Sequence, residues 1–150
     1  MTIQGVRRID HIALVVRDID TTLHFYRDTL GITPSIIEDV PTEGVRIAFL
    51  PLGGPDGTKL ELIQPLNTTS GVARFLEKNG EGQHHICLEV DDIDATLAHL
   101  QADGVPVLDQ TPRLSVDGRA IFIHPKGASG VLYELVQRND KNMQTEDVLT

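Results

Sequence analysis

The sequence predicts an α+β fold of two tandem βαβββ modules forming one concave curled sheet, and three observations carry that prediction. The stretch HIALVVRDIDTTL at 11–23 recurs as HICLEVDDIDATL at 85–97, with nine of thirteen positions identical. The module ends recur too, ELIQ at 61–64 against ELVQ at 134–137, so the copies stay in phase, 74 residues apart at the first His and 73 at the Glu. Between these anchors both copies carry the same succession of apolar runs broken by Gly and Pro. Self-similarity at a fixed spacing marks a repeated supersecondary unit.

Each element follows in order. IDHIALVV, residues 9–16, is apolar and β-branched enough to be a buried strand. Asp18 or Asp20 caps a helix through TTLHFYRDTL, and Gly31 ends it. PSIIEDV, GVRIAFLPLG and GTKLELIQPL then read as three strands bounded by Pro and Gly. In the second copy HHICLEV is a strand and DIDATLAHLQADG a capped helix closed by Gly104. VPVLD, GRAIFIHP and GVLYELVQ are its remaining strands. The linker NTTSGVARFLEKNGEG carries a short helix ending at Gly80. These boundaries give a single domain over 1–150: module one at about 8–66, a linker at 67–82, module two at about 83–137, and a polar, loose tail at 138–150.

Composition narrows the function. A chain of 150 residues buries roughly 70% of its unfolded surface and needs no covalent staple. The single cysteine, Cys87, forbids an internal disulfide and fits a reducing, cytoplasmic setting. No apolar run approaches about 20 residues, and the opening MTIQGVRRID lacks the apolar centre of a signal peptide, so no membrane partner is expected. With 22 acidic against 13 basic side chains, a net charge of −9 and no Trp, nucleic acid is excluded as a partner. An anionic small molecule is compatible if a few basic groups converge locally.

The repeat also places chemistry. Alternate residues of a strand face opposite sides. Ile12, Leu14 and Val16 belong to the helix-packed face, which turns His11 to the other. Leu60 and Leu62 do the same for Glu61, Ile86 and Leu88 for His85, and Tyr133 and Leu135 for Glu134. A His opening one strand is commonly an edge residue, and a Glu between leucines commonly faces solvent. Here type and parity coincide four times. Two imidazoles and two carboxylates without thiolate make a site for one divalent first-row ion, Co²⁺, Mn²⁺, Ni²⁺ or Zn²⁺, with two octahedral positions left for water or substrate. His84 has the wrong parity, aligns with Asp10 and reads as structural. Cys87 shares the parity of His85 and reads as a buried, inert thiol. The repeated DID is helix capping.

IDHIALVVRDID, NGEGQHHICLEVDDIDA and FIHPKGASGVLYELVQ, taken in order, resemble the vicinal oxygen chelate superfamily and, within it, the methylmalonyl-CoA epimerases, over about Arg8 to Gln137. The resemblance implies paired βαβββ modules around a divalent metal, Co²⁺ foremost, held by His11, Glu61, His85 and Glu134. It implies an acyl-CoA substrate, a homodimer, and epimerisation of methylmalonyl-CoA at C2 by proton transfer through a metal-stabilised enolate. Two bases are needed, one on each face of a planar enolate. Some relatives carry a non-ligand Glu three residues past the Gly of GVR and a Gln on the fourth strand. This chain has Ile47 and Glu61 there, so Glu61 and Glu134 are expected to be both ligands and bases, with Glu43 a poorer substitute. The same ligand set resembles glyoxalase I, whose isomerisation of a glutathione hemithioacetal is the alternative. A non-catalytic antibiotic-binding protein is a second alternative. Lys126, Arg119, Arg113 and Arg46 are candidates to meet the CoA phosphates.

Overall fold

The computed structural model describes residues 5–139, and the stretch of the expected loose tail from residue 140 onward lies outside them. Each copy of the repeat forms a four-stranded sheet with a helix between its first two strands, which is the α+β paired βαβββ fold that the sequence predicts. The chain divides into two compact units, one spanning Asp10–His85 and the other joining the chain before Asp10 to the chain from Ile86 onward.

In the Asp10–His85 unit the strand order is β2-β3-β4-β1, with β1 (Val6–Val15), β2 (Ile36–Val40), β3 (Val45–Pro51) and β4 (Lys59–Pro65). β1 and β4 run parallel, as a strand–crossover–strand unit requires, and β3 pairs antiparallel with both β2 and β4. One face packs Leu14, Val16, Ala48, Leu50, Leu60 and Leu62 against Ile19, Leu23 and Tyr26 of the helical segment. The other face carries Ala13, Val45, Ile47, Phe49 and Ile63, with Val72 of α2 (Gly71–Asn79) over it. Leu62 is fully buried on the helix side. Leu62→Ala is therefore expected to destabilise the fold by about 2–5 kcal/mol, read as a lower urea midpoint at unchanged m-value.

The second unit repeats the plan in the order β5-β8-β7-β6, from β5 (Gly82–Val90), β6 (Arg113–Leu114), β7 (Gly118–Ile123) and β8 (Tyr133–Arg138). β5 and β8 are parallel, and α3 (Ile93–Ala102) packs Ile93, Leu97 and Leu100 on Val90, Ile121 and Leu135. Gly118 opens β7 with φ 156°, and a Cβ there would sit 2.1 Å from the Gln137 carbonyl oxygen, so only glycine lets these strands close. The start of β1 belongs here: Asp91 N–H donates to the Gly5 carbonyl, and Arg8 pairs with Glu89 at 2.8 Å.

The repeat extends to the caps. Asp18 and Asp92 are the N-caps of α1 (Ile19–Leu23) and α3, accepting from Thr21 N–H at 2.8 Å and Ala95 N–H at 3.0 Å. The Thr21 hydroxyl and N–H hold the exposed Asp18 carboxyl below its ordinary pKa. Gln64 and Gln137, the last letters of ELIQ and ELVQ, accept from the Ile19 and Ile93 N–H groups at 2.9 and 3.0 Å. Each fourth strand thereby ties down the start of its own helix.

Two expectations need correction. The first helix is α-helical only to Leu23 and continues as a π-helix over His24–Thr29 before Gly31 closes it. The Leu30 N–H reaches back five residues to the Phe25 carbonyl, and the Thr29 hydroxyl five to that of His24. VPVLD is not a strand but makes one bridge, Val107 to Ile123, and the short β6 forms at Arg113–Leu114 instead. Pro106 has no N–H to donate, so the ladder with β7 is interrupted where its carbonyl accepts from His124.

Candidate functional site

The face of the Asp10–His85 unit opposite its helix carries the site. Ala13, Glu61 and Phe49 are direct cross-strand partners on β1, β4 and β3, and His11 lies two residues before Ala13 on the same face. His11 and His85 are buried, with their Nε2 atoms 3.3 Å apart. Glu61 Oε2 lies 3.2 Å from the same His11 nitrogen. The Phe49 ring stands edge-on to His11, at 5.9 Å between centroids, and shields it from water. Three of the four expected ligands are thus gathered within one unit.

Two neighbours orient the imidazoles. Asp10, 0% exposed, sits 2.7 Å through Oδ2 from His11 Nδ1, so His11 donates Nδ1–H and keeps its Nε2 lone pair for the site. Lys59 Nζ lies 3.4 Å from the other Asp10 oxygen. Behind His85 stands His84, with the two Nδ1 atoms 2.8 Å apart. Burial pushes the His84 pKa below its ordinary value, and the ring packs edge-on against Phe75 of α2 at 4.9 Å. The contact between the two Nδ1 atoms holds the His85 ring with its Nε2 toward that of His11. Two nitrogen lone pairs and a carboxylate oxygen about one point repel one another and suit a divalent cation, so these residues fit the expected metal.

Glu134 lies in the other unit, where β8 sets it directly opposite Cys87 of β5 and Phe122 of β7. Its surroundings echo those of Glu61, whose partners are Ala13 and Phe49. The buried Cys87 thiol approaches Glu134 Oε1 at 3.6 Å, and Arg113 Nη2 approaches Oε2 at 3.4 Å. The guanidinium is laid over the Phe122 ring at 4.5 Å, with Asp109 3.6 Å from its Nε.

The remaining candidates separate cleanly. Ile47 is buried among Ala13, Val45, Phe49 and Ile63, and Glu43 is exposed in the turn between β2 and β3. Arg46 is paired with Asp39 at 2.7 Å and Arg119 with Asp94 at 2.8 Å, each pair holding its carboxyl below the usual range. Lys126 is exposed beyond β7. Sequence reasoning gave neither Asp10 nor Lys59 a place at the site. The adjacent Asp-His pair was the available signal for the first, and no periodicity marks the second.

Comparison with known proteins gives a consistent result. A family model described as the Glyoxalase/Bleomycin resistance protein/Dioxygenase superfamily matches residues 10–123. The mitochondrial methylmalonyl-CoA epimerase of Homo sapiens is 38% identical over 138 residues, 91% of this chain and 77% of that one. The ethylmalonyl-CoA/methylmalonyl-CoA epimerase of Cereibacter sphaeroides is 40% identical over 135 residues, covering 88% and 98%. Among solved structures, a variant of Streptomyces coelicolor methylmalonyl-CoA epimerase in complex with 2-nitronate-propionyl-CoA superposes with a TM-score of 0.84 at 40% identity, over 91% of this chain and all of that one.

Proposed function

We infer that this chain, which belongs to the Glyoxalase/Bleomycin resistance protein/Dioxygenase superfamily, is an epimerase that inverts methylmalonyl-CoA at C2. The observation that carries the reading is the convergence of His11, His85 and Glu61, in a chain so similar to methylmalonyl-CoA epimerases. His11, His85 and Glu61 would hold one divalent cation, with Glu134, which stands in the second copy where Glu61 stands in the first, as the fourth ligand. When bound, the cation supplies Lewis-acid stabilisation of negative charge on oxygen.

The chain's own residues do the rest. Inversion breaks one C2–H bond and makes another on the opposite face. One carboxylate, Glu61 or Glu134, enters ionised and takes the C2 proton while the electron pair moves onto the thioester carbonyl oxygen. The other enters protonated and returns its proton to the far face as that pair flows back to C2. The two then exchange roles for the reverse turnover. Ile47 cannot move a proton, which leaves Glu61 as the base of its module. Phe49, Ile63 and Val45 keep this region apolar and strengthen charge interactions there.

Co²⁺ is the proposed ion on the family resemblance, among the Co²⁺, Mn²⁺, Ni²⁺ and Zn²⁺ that the mixed nitrogen and oxygen donor set suits. The cytoplasm is the proposed compartment, on the single buried thiol; among the described residues no helix is long and apolar enough to cross a membrane. The proposed homodimer rests on the family resemblance alone.

The test is deuterium incorporation at C2 of methylmalonyl-CoA in D₂O, with Co²⁺-loaded and EDTA-treated protein, and ethylmalonyl-CoA in parallel. Metal-dependent exchange far above the uncatalysed rate, with loss of stereochemical purity, is the expected result. No acceleration by loaded protein on either thioester would overturn the reading.

A further inference from the structure

The repeat serves as its own control on the residues behind the two histidines. Asp10 and His84 hold matching places, each one residue ahead of a histidine, and Lys59 and Leu132 match two residues ahead of a glutamate. The second copy therefore builds the same parallel first-to-fourth strand pairing with no formal charge at either place. The fold does not require the Lys59–Asp10 pair. Its cost is considerable, since Asp10 is wholly withdrawn from water and Lys59 keeps only 14% of its side chain exposed. What the pair has that Leu132 and His84 lack is an anion in contact with an imidazole Nδ1, and a cation restraining that anion.

We propose that Lys59, Asp10 and His11 form a relay that makes His11 the stronger of the two nitrogen ligands. Asp10 is a positioning residue. It accepts His11 Nδ1–H, locks the ring with Nε2 toward the cation, and raises the electron density at Nε2. Lys59, at 3.4 Å, draws charge back from Asp10 and limits that push. His85 has the His84 imidazole, not a carboxylate, 2.8 Å from its Nδ1, so it lacks the anionic push. The inference rests on the reading of His11 and His85 as ligands to a divalent cation, but it assigns roles to residues outside the ligand set.

The test measures Co²⁺ dissociation constants by chelator competition for the full chain, Asp10→Asn, Lys59→Met and the double variant. Asp10→Asn is expected to bind about 10–100-fold more weakly. Lys59→Met is expected to bind more tightly, a direction that a merely structural lesion does not produce. In the Asp10→Asn background the Lys59 effect is expected to vanish, because it acts through Asp10. Equal tightening in both backgrounds would mean that Lys59 acts on the ion directly, and would overturn the relay. A wild-type chain that binds Co²⁺ while all variants bind identically would overturn the relay and leave the metal reading standing. A wild-type chain that binds no Co²⁺ would overturn both. Should Asp10→Asn not fold, nitrogen-15 spectra of Zn²⁺-loaded wild type decide: His11 must carry its proton on Nδ1 and bind through Nε2, and the opposite tautomer would overturn the proposal.

Discussion

Glu61→Gln is expected to keep its divalent cation while epimerisation falls by about 10²–10⁴-fold, the range that general-base removal costs. The amide oxygen still offers a lone pair where Glu61 Oε2 stands, 3.2 Å from His11 Nε2, so the donor set survives. What the amide cannot do is accept a proton from carbon. Neither Ile47 nor Glu43 makes good the loss. Ile47, where some relatives carry a carboxylate, is 2% exposed in an apolar cluster, and Glu43 stands out in a solvent-facing turn. The measurement is kcat alongside metal content per chain. Full metal with collapsed turnover supports the dual role of Glu61, and full metal with normal turnover would sink it.

That expectation could be framed from sequence because the repeat exposed it. A lone His11 says little; His11 and His85 opening two copies of one strand, with Glu61 and Glu134 closing both, fix type, parity and spacing together. The alternation of Leu60, Glu61 and Leu62 was enough to send the carboxylate to the face that Phe49 and Ala13 occupy. The strands and caps were legible for similar reasons, since Asp18 and Asp92 announce helix starts and Gly31 and Gly104 their ends. The orienting residues were not. Parity, with the alignment to Asp10, assigned His84 a structural role, because successive residues leave a strand on opposite faces. The ring nevertheless turns back to within 2.8 Å of His85 Nδ1. Lys59 reaches Asp10 across the β1–β4 pairing, a contact set by register rather than by any local pattern. The π-helical turn at His24–Thr29 depends on which carbonyl each N–H selects, a choice the apolar pattern does not encode.

Glu134→Gln is the mirror experiment, and its value lies in which epimer it spares. Its turnover is also expected to fall by about 10²–10⁴-fold. The Gln amide keeps an oxygen for the Cys87 thiol or for Arg113, which rests on Phe122, so the strand pairing has no cause to change. Each glutamate serves one face of the planar enolate, so each substitution blocks removal of the C2 proton from one epimer only. Started from its blocked epimer in D₂O, a variant should release no solvent-exchanged hydrogen. Started from the other, it should wash deuterium into C2 with configuration retained, since the surviving base exchanges its proton with solvent and delivers a deuteron back to the same face. Glu61→Gln and Glu134→Gln must therefore fail on opposite epimers. If both fail on the same one, the two carboxylates act on one face, and if one variant fails on both epimers and the other on neither, a single base serves both; either outcome makes the exchange of roles between the paired carboxylates wrong, even where each variant is slow.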